Sequence, residues 1–390
     1  MRIGFNGLFL GRDATGSGQY ARHLLQALLE LDEGSEFWVF KPQERKTSGE
    51  LDSGSDTAAP VRHVATLTGG RWRNLDKLWF EQVAFGRACR RARVDLCHVP
   101  YFASPVLSKV PTIVTIHDLI PLLLSEYRSS LAVKLYTLLV SAAARRADLI
   151  ITDSQHSKQD IVAHLGIDRD RVRAIYLAAA PSCGVISDAA MLAHARQQYG
   201  LPKRYILYLG GFDRRKNLEV LLRAYARLLA MLDDAPPLVV AGRLPNEDTA
   251  LFPNPRRMAR ELAVDARVIF TGWVAEEDKA ALYSGALFFA FLSIYEGFGL
   301  MPLEAMACGT PVLAARAASL PEIVGPGGVL VDPTDVDEVA QKMAALVRDA
   351  EGRERLAAEA LKQAARFDWK QTAEATLRAY RSVLECRGVR

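Results

Sequence analysis

Apolar and polar positions follow one plan twice along this chain. In the first half, short apolar runs at 2–8, 37–40, 94–99, 111–116 and 148–154 read as strands buried on both faces. Stretches with helical spacing, such as 20–31 and 72–93, fall between them. The second half repeats the pattern, with strands at 205–209, 237–241, 268–270, 286–292 and 312–315 and helices at 218–232 and 336–348. Strands alternating with helices predict an α/β protein with parallel sheets. The pattern breaks at 179–187, around Pro181 and Gly184, before a helix at about 189–199 and Gly200-Leu201-Pro202. The expected division is a first Rossmann-like domain at 1–185, a second at 200–368 and a final segment at 369–390.

Two stretches complicate this reading. Residues 47–60 are polar and read as a mobile loop. Residues 72–93 mix aromatics with many arginines. The preferred reading is a surface helix that packs Leu75, Leu78, Trp79 and Val83 inward, and the alternative is a basic helix lying on a membrane. Residues 122–139, apolar with Tyr127, Lys134 and Tyr136, are a second candidate for such a surface.

Bulk composition narrows the function classes. A chain of 390 residues with 50% hydrophobic and 24% charged residues suits two soluble domains. No apolar run reaches the length of a membrane span, and the first residues begin a strand without a signal peptide's apolar core. The expected location is cytoplasmic, with peripheral contact at the inner face of the membrane as the alternative. The five cysteines (Cys89, Cys97, Cys183, Cys308 and Cys386) are scattered, which suits reduced thiols and not a metal site. A net charge of +4 is too mild for a nucleic-acid partner but compatible with anionic ligands.

Candidate chemistry lies at the carboxyl ends of the expected strands, where open α/β sheets bind ligands. After 286–292 comes Glu296-Gly297-Phe298-Gly299-Leu300, then a helix expected to hold Pro302 and Glu304 in its first turn and to end at Gly309. The glycines permit close backbone approach, and a helix N-terminus offers unpaired N–H groups to an anion. Glu304 is placed to accept hydrogen bonds from vicinal hydroxyls, as on a ribose, and Glu296 to stand at the mouth of the loop. After 205–209, Arg215 and Lys216 precede a helix that Asn217 is suited to cap, a pattern that makes a diphosphate cradle. After 111–116 comes His117-Asp118, and His98 ends an earlier strand, where it reads equally as site-lining or structural. Gly16-Ser17-Gly18 form a glycine-rich loop, with no acid near the second strand for a dinucleotide ribose. Asp168-Arg169-Asp170 has metal-binding spacing but falls in a polar turn and reads as structural.

The run Glu296-Gly-Phe-Gly-Leu-x-x-Leu-Glu304-Ala-Met-Ala-Cys-Gly-Thr-Pro-Val closely resembles the E-x7-E signature of retaining glycosyltransferases with the two-Rossmann (GT-B) architecture, and more narrowly their family four. The sequences Thr115-Ile-His117-Asp-Leu-Ile-Pro121 and Gly210 to Arg215-Lys216-Asn217 resemble motifs of the same family. The resemblance implies two Rossmann-like doubly wound domains facing across a cleft, with the last helix crossing back to the first domain. It implies His117 and Glu296 as catalytic residues at the donor sugar. It implies donor binding by Arg215, Lys216, Gly297, Phe298, Gly299, Leu300 and Glu304, with the base against Trp273 and Val274. The loop Gly16, Ser17, Gly18 would face the diphosphate and acceptor, with Gln19 where the family commonly has arginine.

The expected activity is transfer of a hexose from a nucleoside-diphosphate sugar to a glycan or lipid-linked acceptor in cell-surface polysaccharide synthesis, with no cofactor and no metal. The motif style resembles bacterial mannosyltransferases, which makes GDP-mannose the first choice of donor. A sugar-nucleotide epimerase of the same fold and a non-catalytic sugar-nucleotide-binding partner are the rival readings.

Overall fold

A computed structural model describes residues 1–12, 15–32, 34–43, 59–69, 71–127 and 130–388. Residues 47–58 of the polar stretch read as a loop lie outside the described residues. The chain divides into two units. The first is Met1–Leu177 with Trp369–Arg390, and the second is Ala178–Asp368.

The first unit is built on seven strands: β1 (Arg2–Asn6), β2 (Glu36–Pro42), β3 (Val61–Val64), β4 (Leu96–Val99), β5 (Thr112–Thr115), β6 (Leu149–Thr152) and β7 (Val172–Ala174). Their order is β3-β2-β1-β4-β5-β6-β7, and the pairings are parallel. The central strands β4, β5 and β6 are buried at every position, which is why they read as continuous apolar runs. The edge strand β3, Val-Arg-His-Val, carries no such signal. The second unit holds β8 (Ile206–Leu209), β9 (Leu238–Ala241), β10 (Val268–Gly272), β11 (Phe288–Phe291), β12 (Val312–Ala315) and β13 (Gly328–Val331), in the order β10-β9-β8-β11-β12-β13. Both orders reverse direction beside the first strand, between β1 and β4 and between β8 and β11. The strand ends open at those switch points, where doubly wound sheets take ligands.

Several local expectations change. Residues 178–185 belong to the second unit and not the first. The Ile186 N–H donates to Ser284 Oγ at 3.0 Å, and Val185 lies against Gly309, so this segment is tied to the second unit before the helix Ala189–Tyr199 begins. The stretch 72–93 is not one helix. Two short α-helices, Arg73–Trp79 and Phe85–Arg91, flank a π-helical turn at Phe80–Ala84. Phe80 and Phe85 take the core positions, while Leu75 is 45% exposed instead of packing inward. The helix Leu131–Arg146 likewise leaves Leu131, Leu135 and Leu138 exposed.

The last helix, Trp369–Cys386, packs on the first helix of the first unit, Gly16–Leu31. Its Tyr380 is fully buried, and its hydroxyl lies 2.6 Å from Nδ1 of His98, whose Nε2 lies 2.9 Å from Thr115 Oγ1. Burial pushes the His98 imidazole down to about 3. A neutral ring with both nitrogens paired inside the sheet is a structural histidine, which settles its two-way reading. Tyr380→Phe leaves one buried ring nitrogen without its partner. That should destabilise the first unit by about 1–3 kcal/mol. Urea unfolding should show a lower midpoint at unchanged slope, and an unmoved midpoint would show that the contact carries no stability.

Candidate active site

In the second unit, two loops meet at the switch point. The loop after β8 ends in a single turn, Arg214–Lys216, followed by Asn217 at φ 57° and the helix Leu218–Met231. Asn217 does not cap that helix through its side chain. Its amide instead donates to the Pro333 carbonyl at 2.7 Å, because the left-handed backbone turns the side chain toward the loop after β13. Arg214 is exposed, whereas Arg215 and Lys216 turn into the loop after β11.

Arg215 Nη1 donates to the Tyr295 carbonyl at 2.6 Å and to Glu296 Oε1 at 2.7 Å. Lys216 Nζ lies 2.7 Å from that same carboxylate oxygen and 4.9 Å from the centroid of the Phe291 ring. Asp213 Oδ1 stands 3.3 Å from Arg215 Nε. Glu296 therefore does not stand free at the loop's mouth. It lies between two cations that would otherwise repel each other. Burial alone would push its carboxyl up, but the charges of Lys216 and Arg215 outweigh burial and hold it below the usual range.

The glycine loop is braced from behind. The Ser319 hydroxyl lies 2.6 Å from the Phe298 carbonyl and 2.9 Å from that of Glu296. Gly299 sits at φ 115°, and a Cβ there would come 2.9 Å from Leu320 Cδ2, so only glycine fits. The Phe298 ring is buried edge-on against Phe367 and is a core side chain. The helix starts at Leu300, which puts Glu304 in its second turn and not its first. Glu304 is buried and accepts from the Tyr283 hydroxyl at 3.1 Å. Burial raises its carboxyl, with Glu276 adding to the rise and Lys279 opposing it.

Two strands from β8, β10 ends at Gly272, and the N–H of Gly242, just beyond the neighbouring β9, donates to the Gly272 carbonyl at 2.9 Å. Trp273 is 52% exposed, and the Arg243 guanidinium lies 5.2 Å from its ring centroid. Val274 is buried, so its side chain packs inward.

In the first unit, Gly16 and Ser17 are not a free loop but the first turn of the helix Gly16–Leu31. Thr15 caps that helix by accepting from the Gly18 N–H at 3.1 Å. A Cβ on Gly18 would lie 2.2 Å from the Arg12 carbonyl oxygen, so this glycine serves the turn itself. His117, just beyond β5, has Nδ1 2.7 Å from Asp153 Oδ2 and Nε2 3.3 Å from the Pro100 carbonyl. The Tyr20 ring meets it edge-on at 4.8 Å. Asp153 follows β6, which pairs with β5, so both residues leave the same edge of the sheet. Asp168 accepts from the Asp170 N–H in a turn of its own. Among the described residues, no three His, Cys, Asp or Glu side chains gather as a metal-ion site.

Sequence reasoning missed Asp153, Asp213, Tyr283 and Ser319. Asp153 had a usable signal, since it follows an apolar strand as His117 does. Ser319 and Tyr283 carried none, because their roles come from tertiary packing.

Among the described residues, no helix is long and apolar enough to cross a membrane. Residues 14–180 match the model of Glycosyltransferase Family 4, and residues 193–363 match that of Glycosyl transferases group 1. The O-antigen chain mannosyltransferase B of Escherichia coli is 34% identical over 296 residues, covering 75% of this chain and 76% of that protein. The serotype-specific mannosyltransferase WbdA of Escherichia coli is 34% identical over 290 residues, and there the match spans only 35% of the longer protein's length. Among solved structures, the sucrose-phosphate synthase of Thermosynechococcus elongatus superposes with a TM-score of 0.76 at 22% identity, covering 99% of this chain and 100% of that one. Anabaena HepE in complex with UDP and glucose gives 0.74 at 19% identity, covering 98% and 100%. With the two parallel sheets, these matches place the chain in family 4 of the glycosyltransferases, with the GT-B fold.

Proposed function

We propose that this glycosyltransferase moves mannose from GDP-mannose to a glycan or lipid-linked saccharide in cell-surface polysaccharide synthesis, with retention of the anomeric configuration. The observation that carries the reading is the Arg215–Lys216–Glu296 cluster at the second unit's switch point. Cleavage of a sugar–diphosphate bond builds negative charge on the departing phosphate. Two buried cations already fixed in place can stabilise that charge without reorganising. The loop Gly297–Leu300, which leads into a helix N-terminus, is assigned to the same phosphates. With this charge supplied by side chains, transfer proceeds without a metal ion. Mannose as the sugar is supported by the names of the Escherichia coli relatives. Retention is supported by the E-x7-E pair Glu296 and Glu304. His117 is assigned to the sugar, and Glu304 to the ribose hydroxyls.

The direct test is a panel of GDP-, UDP-, ADP- and dTDP-sugars followed by thermal shift, since a ligand that binds the native state raises its melting temperature. GDP-mannose should give the largest rise. Proton NMR of the product should show the donor's anomeric configuration, and turnover should persist in excess chelator. A larger rise with another donor, an inverted product or chelator inactivation would each overturn its own part of the proposal.

Lys216→Ala removes one of the two cations while Arg215 keeps Glu296 paired. Donor affinity and transfer should fall by about 1.5–3 kcal/mol, as for a lost charged hydrogen bond. Titration calorimetry with the donor, checked against steady-state kinetics, decides this. Unchanged values would remove Lys216 from the phosphate site.

Glu304→Gln keeps the shape but removes the charge and the two-oxygen acceptance that vicinal hydroxyls need. Because those hydroxyls are held in ground and transition states alike, the loss should appear mainly in the donor KM. Wild type should prefer the normal donor over its 2′-deoxy analogue, and the variant should lose most of that preference. A variant that discriminates as well as wild type would return Glu304 to a packing role beside Tyr283.

A further inference from the structure

The environment of His117 constrains its protonation state, and this rests on the reading of His117 as a site residue. Both ring nitrogens face acceptors: Nδ1 the Asp153 carboxylate at 2.7 Å, and Nε2 the Pro100 carbonyl at 3.3 Å. A carbonyl oxygen cannot donate. A neutral ring protonated at Nδ1 would therefore set the Nε2 lone pair against a carbonyl lone pair. A neutral ring protonated at Nε2 would set its Nδ1 lone pair against a carboxylate, which is worse. Two N–H groups satisfy both contacts. The proton between ring and carboxylate belongs to the ring, since imidazole is the stronger base of the two. Asp153 is itself 2% exposed, and its other oxygen, Oδ1, has no hydrogen-bond partner among the described residues. A buried carboxylate so placed needs a countercharge, and the imidazolium supplies it.

We propose that Asp153 is a positioning residue for sugar transfer: it holds His117 as an imidazolium with N–H groups toward Asp153 and toward the Pro100 carbonyl, so that His117 donates a hydrogen bond to a substrate oxygen and does not act as a base. The two contacts are unequal. The short one to Asp153 fixes the ring, with Tyr20 against its edge. The contact to Pro100 is long, and the ring side chain is 18% exposed. Nε2–H is therefore the donor that a hydroxyl or phosphate oxygen can take over. An imidazolium cannot deprotonate an attacking hydroxyl, which agrees with a transfer that uses no general base at this residue.

The titratable groups around the ring are Asp153, Asp118, Tyr20 and His98. Burial lowers the His117 imidazole, but Asp153 outweighs it by charge and hydrogen bond, helped by Asp118 and the Pro100 carbonyl, and the balance is upward. His98 stays neutral and contributes no charge. The sign follows: His117 is protonated at low pH and loses its proton above the ordinary histidine range. Removing the carboxylate charge moves that loss to lower pH.

The full chain labelled with 15N-histidine gives the test, with the His117 signals assigned by their loss in His117→Gln. Ring nitrogen shifts should show both nitrogens protonated at pH 7, with titration above the ordinary value. In Asp153→Asn the titration should fall by roughly one to three pH units. The alkaline limb of kcat/KM should move down with it. The proposal is overturned if wild-type Nε2 is unprotonated at pH 7, or if Asp153→Asn leaves the titration in place. The wild-type spectrum decides the matter even if the variant does not fold. If the resonances move but the pH–rate profile does not, the dyad stands and the assignment of His117 to the reaction falls.

Discussion

One carboxylate oxygen organises the second unit's switch point. Glu296 Oε1 accepts from Arg215 and from Lys216 at 2.7 Å each, and all three side chains are largely buried. Two cations brought together out of water repel strongly, and neither would stay there alone. The carboxylate between them makes the cluster possible. It also fixes the positions of two donors that would otherwise search many rotamers. The Ile294 N–H donates to the Arg215 carbonyl at 2.9 Å, so the loops are joined through backbone as well as side chains. In the proposed reaction a departing phosphate meets charge already in place, which is the arrangement that lowers a barrier instead of merely tightening binding.

The sheet order explains why these residues meet at all. Arg215 and Lys216 follow β8, and Glu296 follows β11. About eighty residues separate them, yet the strands are hydrogen-bonded neighbours, Phe288 opposite Ile206 and Phe289 opposite Leu207. The first unit uses the same device, with His117 after β5 and Asp153 after the adjacent β6. In both units a parallel sheet sends neighbouring strand ends out on one edge, so residues distant in sequence become partners. The side-chain partnerships at each switch edge are thus set by strand order.

That same device marks what could be read from the sequence. The buried strands were legible because burial on both faces removes polar alternation, as in Leu149-Ile-Ile-Thr152 or Phe288-Phe-Ala-Phe291. The edge strand β3 was not, because its Arg62 and His63 face outward and break the run. Residue types at the site were legible from motifs at strand ends. Their contacts were not, since the Glu296 pairing depends on a fold that folds one loop back on another. The placement of Gly16 and Ser17 in a helix was hidden because Thr15 supplies the cap, and glycine in a first turn looks like a loop. Leu75 reads as a core position on a continuous helical wheel, but the π-helical turn at Phe80–Ala84 rotates the register and gives the core to Phe80 and Phe85.

The two glutamates of the E-x7-E run show how far residue identity stops short of chemistry. Glu296 and Glu304 are eight positions apart on one loop-and-helix segment, and both are buried. Burial pushes each carboxyl up, and what differs is the company. Glu296 has two cations within hydrogen-bond distance, so the balance falls and the residue is held as an anion. Glu304 has a tyrosine hydroxyl at 3.1 Å, a more distant lysine shared with Glu276, and a balance that rises. A carboxyl held anionic suits the organisation of cations around a phosphate. A carboxylate that already accepts from a tyrosine hydroxyl suits contact with further hydroxyls. Environments that push two identical groups in opposite directions are the usual means by which one site divides its labour. Here the division is made by the loop after β8, which delivers its two cations to one glutamate and leaves the other to the helix interior.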